Sequence, residues 1–164
     1  MSISTDEFRQ SMALFPGAVT LITVGQGTAR RGITATAVCS VTDRPPSLLV
    51  CVNRDTATCE EIMRLDRFSV QLLGASDQDL ALRFAGAGGV RGAEKFLAGN
   101  WSTTQTGVPR LQTALASLAC RVTSHSTQGS HQVFIGQIEE AFLAEAARDL
   151  AALVYARSQF RAVG

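Results

Sequence analysis

Two segments of the chain carry side chains that can bind a polar ligand. The first runs from Arg31 to Thr42 and reads RGITATAVCSVT, which predicts one strand over residues 33–42. Because strand side chains alternate between faces, one face is small and apolar, and the other carries Thr34, Thr36 and Ser40. Such hydroxyls can bond the polar edge of a flat heterocycle. Threonine also favours strands with a solvated face, so both interpretations stay open.

The second segment lies where a strand predicted over residues 47–52 turns into a helix predicted over residues 56–63. It reads Asn53-Arg54-Asp55-Thr56-Ala57-Thr58. Backbone N–H groups at a helix start, an arginine and two hydroxyls are the components of a phosphate site. Asp55 favours the opposite interpretation, because its carboxylate can cap the helix itself and would repel an anion.

Four other sequence features, compared with known functional motifs, match none of them. Residues 25–30 start like a dinucleotide-binding fingerprint, but Arg30 replaces the third glycine and a strand follows. The glycine-rich residues 86–92 lack the Lys-Ser/Thr pair of a P-loop. His125 and His131 flank a predicted turn without zinc-ligand spacing around them, so no metal site is predicted. The chain also lacks the G-x-S-x-G elbow of serine hydrolases.

Composition narrows the class of protein. A length of 164 residues fits one domain, which we expect to span residues 1–164. A net charge of +1 with scattered basic residues argues against a nucleic-acid partner. No apolar run approaches the roughly 18 residues of a membrane helix, and the first residues lack the features of a secretory signal. We therefore expect a cytoplasmic protein that does not bind membranes.

The four cysteines are expected to be inert thiols of the core. They form no C-x-x-C pair, and three of them lie in apolar strand-like runs, where a reduced thiol behaves as a small hydrophobic group. They are Cys39, Cys51, Cys59 and Cys120.

Local patterns predict short strands joined by turns, with three short helices. Ser4 and Glu7 form a capping box for a helix that ends near Pro16, and Ser76 caps another helix that stops at Gly86. Residues 144–152 have helix-forming composition, and the following residues can equally form a last strand. The other strand patterns occupy residues 18–24, 68–72, 115–124 and 132–143, the last two joined by a turn with glycine. About six strands in hairpins predict an antiparallel β-barrel with peripheral helices.

Five short motifs occur in the order that one protein family shows. They are Gly32-Ile-Thr-Ala-Thr36 through Ser40-Val41 and Pro45-Pro46, then Leu48-Leu-Val-Cys-Val-Asn53-Arg54, then Lys95-Phe96, then Gly129-Ser-His-Gln-Val-Phe-Ile-Gly-Gln-Ile138, and finally Tyr155-Ala-Arg157. Through them, residues 8–160 resemble the short-chain flavin reductases that serve two-component flavin-dependent monooxygenases.

The resemblance implies a mainly β fold, an antiparallel split β-barrel of the FMN-binding type, usually as a homodimer. It implies reduction of FMN or FAD by NADH or NADPH and delivery of the reduced flavin to a partner monooxygenase. By position, the flavin ring and ribityl chain would be lined by Thr34, Ala35, Thr36, Ser40 and Val41. The flavin phosphate would lie near Asn53, Arg54, Thr56 and Thr58, with Lys95 approaching from the loop side. The nicotinamide would lie near His131, with Tyr155 and Arg157 as further candidates.

The resemblance also implies a reaction that does not depend on a catalytic side chain. Hydride passes between the two cofactor rings, so the protein has to stack the rings and tune the flavin, and no catalytic residue is predicted. Many members carry Gly-Asp-His where this chain has Ser130 before His131, so a carboxylate role is absent here. Two alternatives stay open: a pyridoxamine-phosphate oxidase-like enzyme on a similar barrel, and a flavin-binding module without turnover. His131 itself can also be an exposed turn residue.

Overall fold

A seven-stranded antiparallel sheet forms the centre of the structure, a computed structural model that describes all 164 residues. Three short α-helices lie around it: α1 (Thr5–Met12), α2 (Ala57–Leu65) and α3 (Gln78–Phe84). Twelve strands are present, about twice the number predicted. They are β1 (Gly17–Ala18), β2 (Thr20–Val24), β3 (Arg31–Ala35), β4 (Val38–Asp43), β5 (Pro46–Asn53), β6 (Arg67–Leu72), β7 (Trp101–Thr103), β8 (Pro109–Leu111), β9 (Ala116–Gln128), β10 (His131–Leu143), β11 (Ala152–Ala156) and β12 (Gln159–Val163).

The order of strands in the large sheet closes it into a barrel. The order is β3-β2-β6-β9-β10-β5-β4, and every neighbouring pair is antiparallel. β3 and β4 are consecutive in the chain but lie at opposite edges, so the two-residue link between them joins the edges. In this link the Ala37 carbonyl accepts a hydrogen bond from the Cys51 N–H at 3.1 Å. The predicted mainly β, antiparallel barrel is confirmed.

The prediction of one strand over residues 33–42 is wrong. The chain bends at Thr36 and Ala37, so β3 pairs with β2, whereas β4 pairs with β5. The alternation of faces is interrupted at the bend, and the hydroxyls of Thr34 and Ser40 do not share a face. Small residues and threonine fit a bend as well as a strand, which is why the pattern did not reveal the bend.

Two apolar clusters stabilise the fold, and β2 contributes to both. Ile22 and Val24 face the barrel interior, where they lie with Phe68, Phe134 and residues from α2. Leu21, one residue before Ile22, faces the second cluster under α3. Alternate side chains therefore enter different cores, so every residue of β2 is buried.

The end of the chain forms a hairpin. β11 pairs with β12 and, on its other side, with β1. The helix suggested by the composition of residues 144–152 is absent, because those residues form turns before β11 starts. The buried side chain of Leu153 and the pairing with β1 fix the strand instead. None of the three α-helices is long and apolar enough to cross a membrane.

Candidate active site

A cleft of about 550 Å³ opens where the barrel edges meet. Its wall is built from the end of β3 and its link to β4, from the end of β5, from the start of β10, and from the segment that follows α3. The lining residues are Ile33, Thr34, Ala35, Thr36, Ala37, Cys51, Asn53, Thr56, Phe84, Ala85, Lys95 and His131.

The β3 side of the cleft is held close to its neighbours. The Thr34 hydroxyl donates to the Ala81 carbonyl of α3, so its proton is used within the protein and its oxygen can only accept from a ligand. Thr36 touches the chain at Gly17, where a Cβ would come within 2.8 Å of the Thr36 Cβ. This side of the cleft is therefore small, and only glycine fits at position 17.

The turn between β5 and α2 forms a second part of the wall. Thr56 is the N-cap of α2: its hydroxyl accepts from the Cys59 N–H at 3.2 Å and donates to the Asn53 carbonyl at 2.7 Å. The Asn53 amide oxygen accepts from the Asp55 N–H at 2.9 Å. Asp55 therefore does not cap the helix, which removes that alternative explanation for the segment.

Lys95 supplies a positive charge to the cleft. Its ammonium donates to the carbonyls of Gly32 at 3.0 Å and Phe84 at 2.8 Å, which leaves one of its three protons without a protein acceptor. The five ion pairs of the structure all lie elsewhere. Burial lowers the pKa of the Lys95 ammonium from its usual value, because desolvation disfavours the charged form. An anionic group of a ligand in the cleft could accept the remaining Lys95 proton and balance the charge.

The segment that carries Lys95 is fixed from behind. Arg83 of α3 donates through Nε to the Lys95 carbonyl at 2.9 Å and through Nη2 to the Glu94 carbonyl. The ring of Phe84 packs against those of Phe96 and Trp101, with centroids 5.0 and 5.5 Å apart. The backbone around the lysine is therefore held by α3 and by an aromatic cluster.

His131 lies at the first position of β10. It pairs with Asn53 of β5 and with Gln128 of β9, so its backbone is fixed by strands on both sides. Its ring nitrogen Nδ1 lies 2.9 Å from the Ser130 hydroxyl oxygen. The ring thus adds a polar group to the cleft at the β5 end of the wall.

Comparison with known proteins identifies this architecture. The family model described as "Flavin reductase like domain" matches residues 12–164. The chain belongs to the flavin reductase family. This confirms the resemblance that the five short motifs indicated.

Relatives and solved structures agree with this family. The FMN reductase (NADH) RutF 2 of Methylorubrum extorquens strain PA1 is 38% identical over 138 residues, which cover 84% of this chain and 79% of that protein. BorF, the flavin reductase component of a bacterial two-component tryptophan halogenase, is 31% identical with a TM-score of 0.87 over 98% of both chains. The NADH:FAD oxidoreductase SgcE6 of Streptomyces globisporus is 28% identical with a TM-score of 0.86, over 100% of this chain and 97% of that one.

Seven of the residues predicted to bind flavin or nicotinamide lie together in the cleft of this flavin reductase. They are Thr34, Ala35, Thr36, Asn53, Thr56, Lys95 and His131. Their common location agrees with the predicted site, and their individual contacts with a ligand stay predictions.

Six predicted residues lie outside the cleft lining. Ser40 and Val41 are exposed on β4, beyond the bend. Arg54 lines a neighbouring cavity of about 470 Å³ that shares Thr56 with the cleft. Thr58 is buried in the first turn of α2 and does not line the cleft. The last two, Tyr155 and Arg157, belong to β11 and the turn after it. A role for these six in binding stays a prediction.

The pattern missed five residues of the wall. Cys51 was detectable, because it lies two residues before Asn53 on β5 and so shares its face. Phe84 resembles a core residue in sequence, and it is indeed buried while also forming part of the wall. The others are Ile33, Ala37 and Ala85.

The expectation that all four cysteines are core thiols holds only in part. All four are free, and Cys59 and Cys120 are buried. Cys39 is exposed on β4, and Cys51 lines the cleft. β4 and β5 form one end of the sheet, so the apolar run around these two residues does not place them in the core.

Proposed function

We propose that this flavin reductase transfers hydride from NADH to FMN or FAD and supplies the reduced flavin to a partner monooxygenase. The observation that carries the proposal is the cleft itself, which combines small β3 residues with a lysine cation that lacks an acidic partner. The relatives named FMN reductase (NADH), and BorF as the reductase component of a two-component halogenase, support this choice of substrates and partner. We further propose that residues 1–164 act as one domain.

The cleft residues fit a flavin. Ala35 and Ala37 leave room for a flat ring beside the chain, and Phe84 offers an apolar wall. The free donor of Lys95 suits the flavin phosphate, as does the N-terminus of α2 near Thr56. A bound flavin would supply the chemistry, because its ring accepts the hydride of a reduced nicotinamide.

The protein's own groups would bind and orient the two ligands. Lys95 would hold negative charge on the flavin, and the wall from Thr34 to Ala37 would set how closely the ring approaches the backbone. His131 would contact the nicotinamide from the β5 end. No side chain has to act as a nucleophile, because the work of the site is to place two rings in contact.

Steady-state oxidation of NADH with and without added FMN or FAD tests the proposal. A flavin reductase consumes many equivalents of NADH per protein only when free flavin is added. An oxidase related to pyridoxamine-phosphate oxidase would need a different substrate, and a flavin-binding module would show binding without turnover. Either of the last two results would replace the proposed function.

Substitution Thr36→Leu is expected to weaken flavin binding at least tenfold, which corresponds to about 1.4 kcal/mol. The larger side chain would take up space in the cleft, because Thr36 lines it and Gly17 lies close behind. Fluorescence titration of FMN measures the effect. Thr28→Leu is the matched control, because Thr28 is exposed in the turn between β2 and β3, outside the cleft. Unchanged flavin affinity in Thr36→Leu, or an equal loss in Thr28→Leu, would contradict a flavin site against Thr36.

We also propose that the protein is a homodimer and that α1 contributes to the interface. The helix buries none of its residues, and Phe8 on the helix and Phe15 three residues after its end are 53% and 66% exposed. An apolar side of this kind is typical of an interaction surface. The chain leads from α1 into Gly17, which touches Thr36, so a partner seated here would lie close to the cleft.

Sedimentation equilibrium is expected to give about twice the chain mass of 17.4 kDa. The double substitution F8E/F15E should shift the protein to monomer, because two charges would replace the apolar contacts. Leu97→Glu serves as the control, since Leu97 is 81% exposed outside α1. A wild-type monomer, or a dimer that survives F8E/F15E, would remove α1 from the interface.

A cytoplasmic location completes the proposal. The four cysteines are free, which suits a reducing compartment, and the proposed hydride donor is a metabolite of that compartment.

A further inference from the structure

We propose that Ser130 is a positioning residue, which holds the His131 ring with its proton on Nε2 and so presents a hydrogen-bond donor to the pyridine nucleotide. The inference rests on the proposed function for its ligand. The claim about the ring itself rests on the structure of the β9–β10 turn alone.

The turn fixes both residues of the pair. Gly129 adopts a left-handed conformation with φ of +57°, and the Ser130 carbonyl accepts from the Arg54 N–H at 3.0 Å. His131 then enters β10 between Asn53 and Gln128. With the backbone held on both sides, the Ser130 hydroxyl lies 2.9 Å from Nδ1 of the His131 ring.

We infer the direction of this hydrogen bond from the partners that each group has in the structure. The serine hydroxyl has one proton, and His131 Nδ1 is its one hydrogen-bond partner in the structure. No carboxylate or carbonyl lies at Nδ1 to accept a proton from it. Donation to Nδ1 gives the hydroxyl proton a protein acceptor, and this is the direction that we assign, although a hydroxyl oxygen can also accept. With Nδ1 as the acceptor, a neutral ring carries its proton on Nε2.

A hydrogen-bond donor at His131 Nε2 favours contact with an acceptor atom of the ligand. Nε2–H is suited to a carbonyl oxygen, and the nicotinamide ring of the pyridine nucleotide carries one in its carboxamide group. Without the serine hydroxyl, the ring is free to populate the other tautomer, in which Nε2 accepts and would oppose that oxygen. Ser130 thus acts on the nucleotide through His131 without touching it.

The second histidine of the chain provides an internal reference. His125 Nδ1 lies 2.9 Å from the Gln132 amide nitrogen, whose side-chain oxygen accepts from the Thr127 hydroxyl. An amide NH₂ can only donate, so His125 also carries its proton on Nε2. Gln132 follows His131 in β10 and points to the opposite face, so a change at Ser130 leaves the His125 environment intact.

Long-range ¹H–¹⁵N correlation of the two imidazole rings tests the tautomer directly. In mildly alkaline solution we expect both rings to show Nδ1 as the unprotonated nitrogen. In Ser130→Ala, the His131 signals should move toward a mixture of tautomers while those of His125 stay in place, and Ser130→Thr should restore the wild-type pattern. Wild-type His131 with its proton on Nδ1, or identical His131 signals in Ser130→Ala, would overturn the proposal.

Kinetics tests the effect on the nucleotide. Ser130→Ala should raise the KM for NADH about three- to tenfold with little change in kcat, and Ser130→Thr should reverse this. An unchanged KM together with a changed tautomer would overturn the role in nucleotide recognition. If the wild-type chain oxidises no NADH at all, the proposed function fails, and the ring signals still decide whether Ser130 sets the tautomer.

Discussion

Replacing Lys95 by methionine is expected to weaken FMN binding by roughly 10- to 100-fold. A hydrogen bond to a charged group contributes about 1.5–3 kcal/mol to binding. Lys95 is the lysine that lines the cleft, and its ammonium bonds two carbonyls and no carboxylate. Methionine keeps much of the apolar length of the side chain while removing the charge. Equilibrium titration of FMN fluorescence measures the loss.

Riboflavin, which lacks the phosphate, shows which part of the flavin Lys95 contacts. If the ammonium binds the phosphate, Lys95→Met should lower the affinity for FMN and leave the affinity for riboflavin almost unchanged. Arg91→Met is the matched control, because it removes one positive charge four residues away, at an exposed position outside the cleft lining. Equal FMN affinity in Lys95→Met and the wild type would take the lysine out of the site.

The same contact should depend on pH in a defined direction. Because burial lowers the pKa of Lys95, its charge is lost at a lower pH than for an exposed lysine. FMN affinity of the wild type should therefore fall as the pH rises toward that lowered pKa, below the usual 10.5. Lys95→Met should lack this component of the pH dependence, whereas Arg91→Met should retain it.

Gln71→Leu is expected to lower the free energy of unfolding by about 3 kcal/mol. The Gln71 side chain is fully buried, and its oxygen accepts from the Leu111 N–H at 3.0 Å. Its nitrogen reaches the Pro109 carbonyl at 3.0 Å and the hydroxyls of Thr23 and Ser69 at 3.1 Å each. Leucine fills the space, but leaves a buried N–H without a partner and weakens the attachment of β8 to the sheet.

Chemical denaturation of Gln71→Leu and of the wild type measures this difference in the free energy of unfolding. Gln105→Leu is the control, because the Gln105 side chain is exposed and makes no hydrogen bond, so its effect should stay within about 0.5 kcal/mol. β8 pairs with β7, which carries Trp101, and the Trp101 ring packs against Phe84 of the cleft wall. We therefore expect a weaker FMN affinity to accompany the loss of stability. If Gln71→Leu matches the wild type in stability, this buried network does not hold the β7–β8 hairpin.

Local signals predicted the parts of the fold that depend on neighbouring residues. The capping box of Ser4 and Glu7 is present, with the Glu7 carboxylate 2.8 Å from the Ser4 N–H. The long hairpin of β9 and β10 is present, and its glycine turn at Gly129 has the expected positive φ. These features were predictable because side-chain capping and turn geometry involve only a few consecutive residues.

The closure of the barrel was not predictable in this way. The bend at Thr36 and Ala37 exists because β3 and β4 lie at opposite edges of one sheet, and no short stretch of sequence encodes that pairing. The alternation pattern puts Ser40 on one face with Thr34 for the same reason, although only Thr34 lines the cleft. The resemblance to a family supplied the site residues from distant elements, such as Lys95 and His131, which periodicity could not bring together.

Anaerobic reduction of flavin by NADH tests the central claim most directly. With a small amount of protein and a large excess of FMN or FAD, we expect the flavin absorbance to bleach completely, with one NADH consumed for each flavin and many flavins reduced per protein chain. Bleaching of no more than one flavin per chain, or a rate equal to that of NADH and flavin without protein, would contradict the assignment as a flavin reductase.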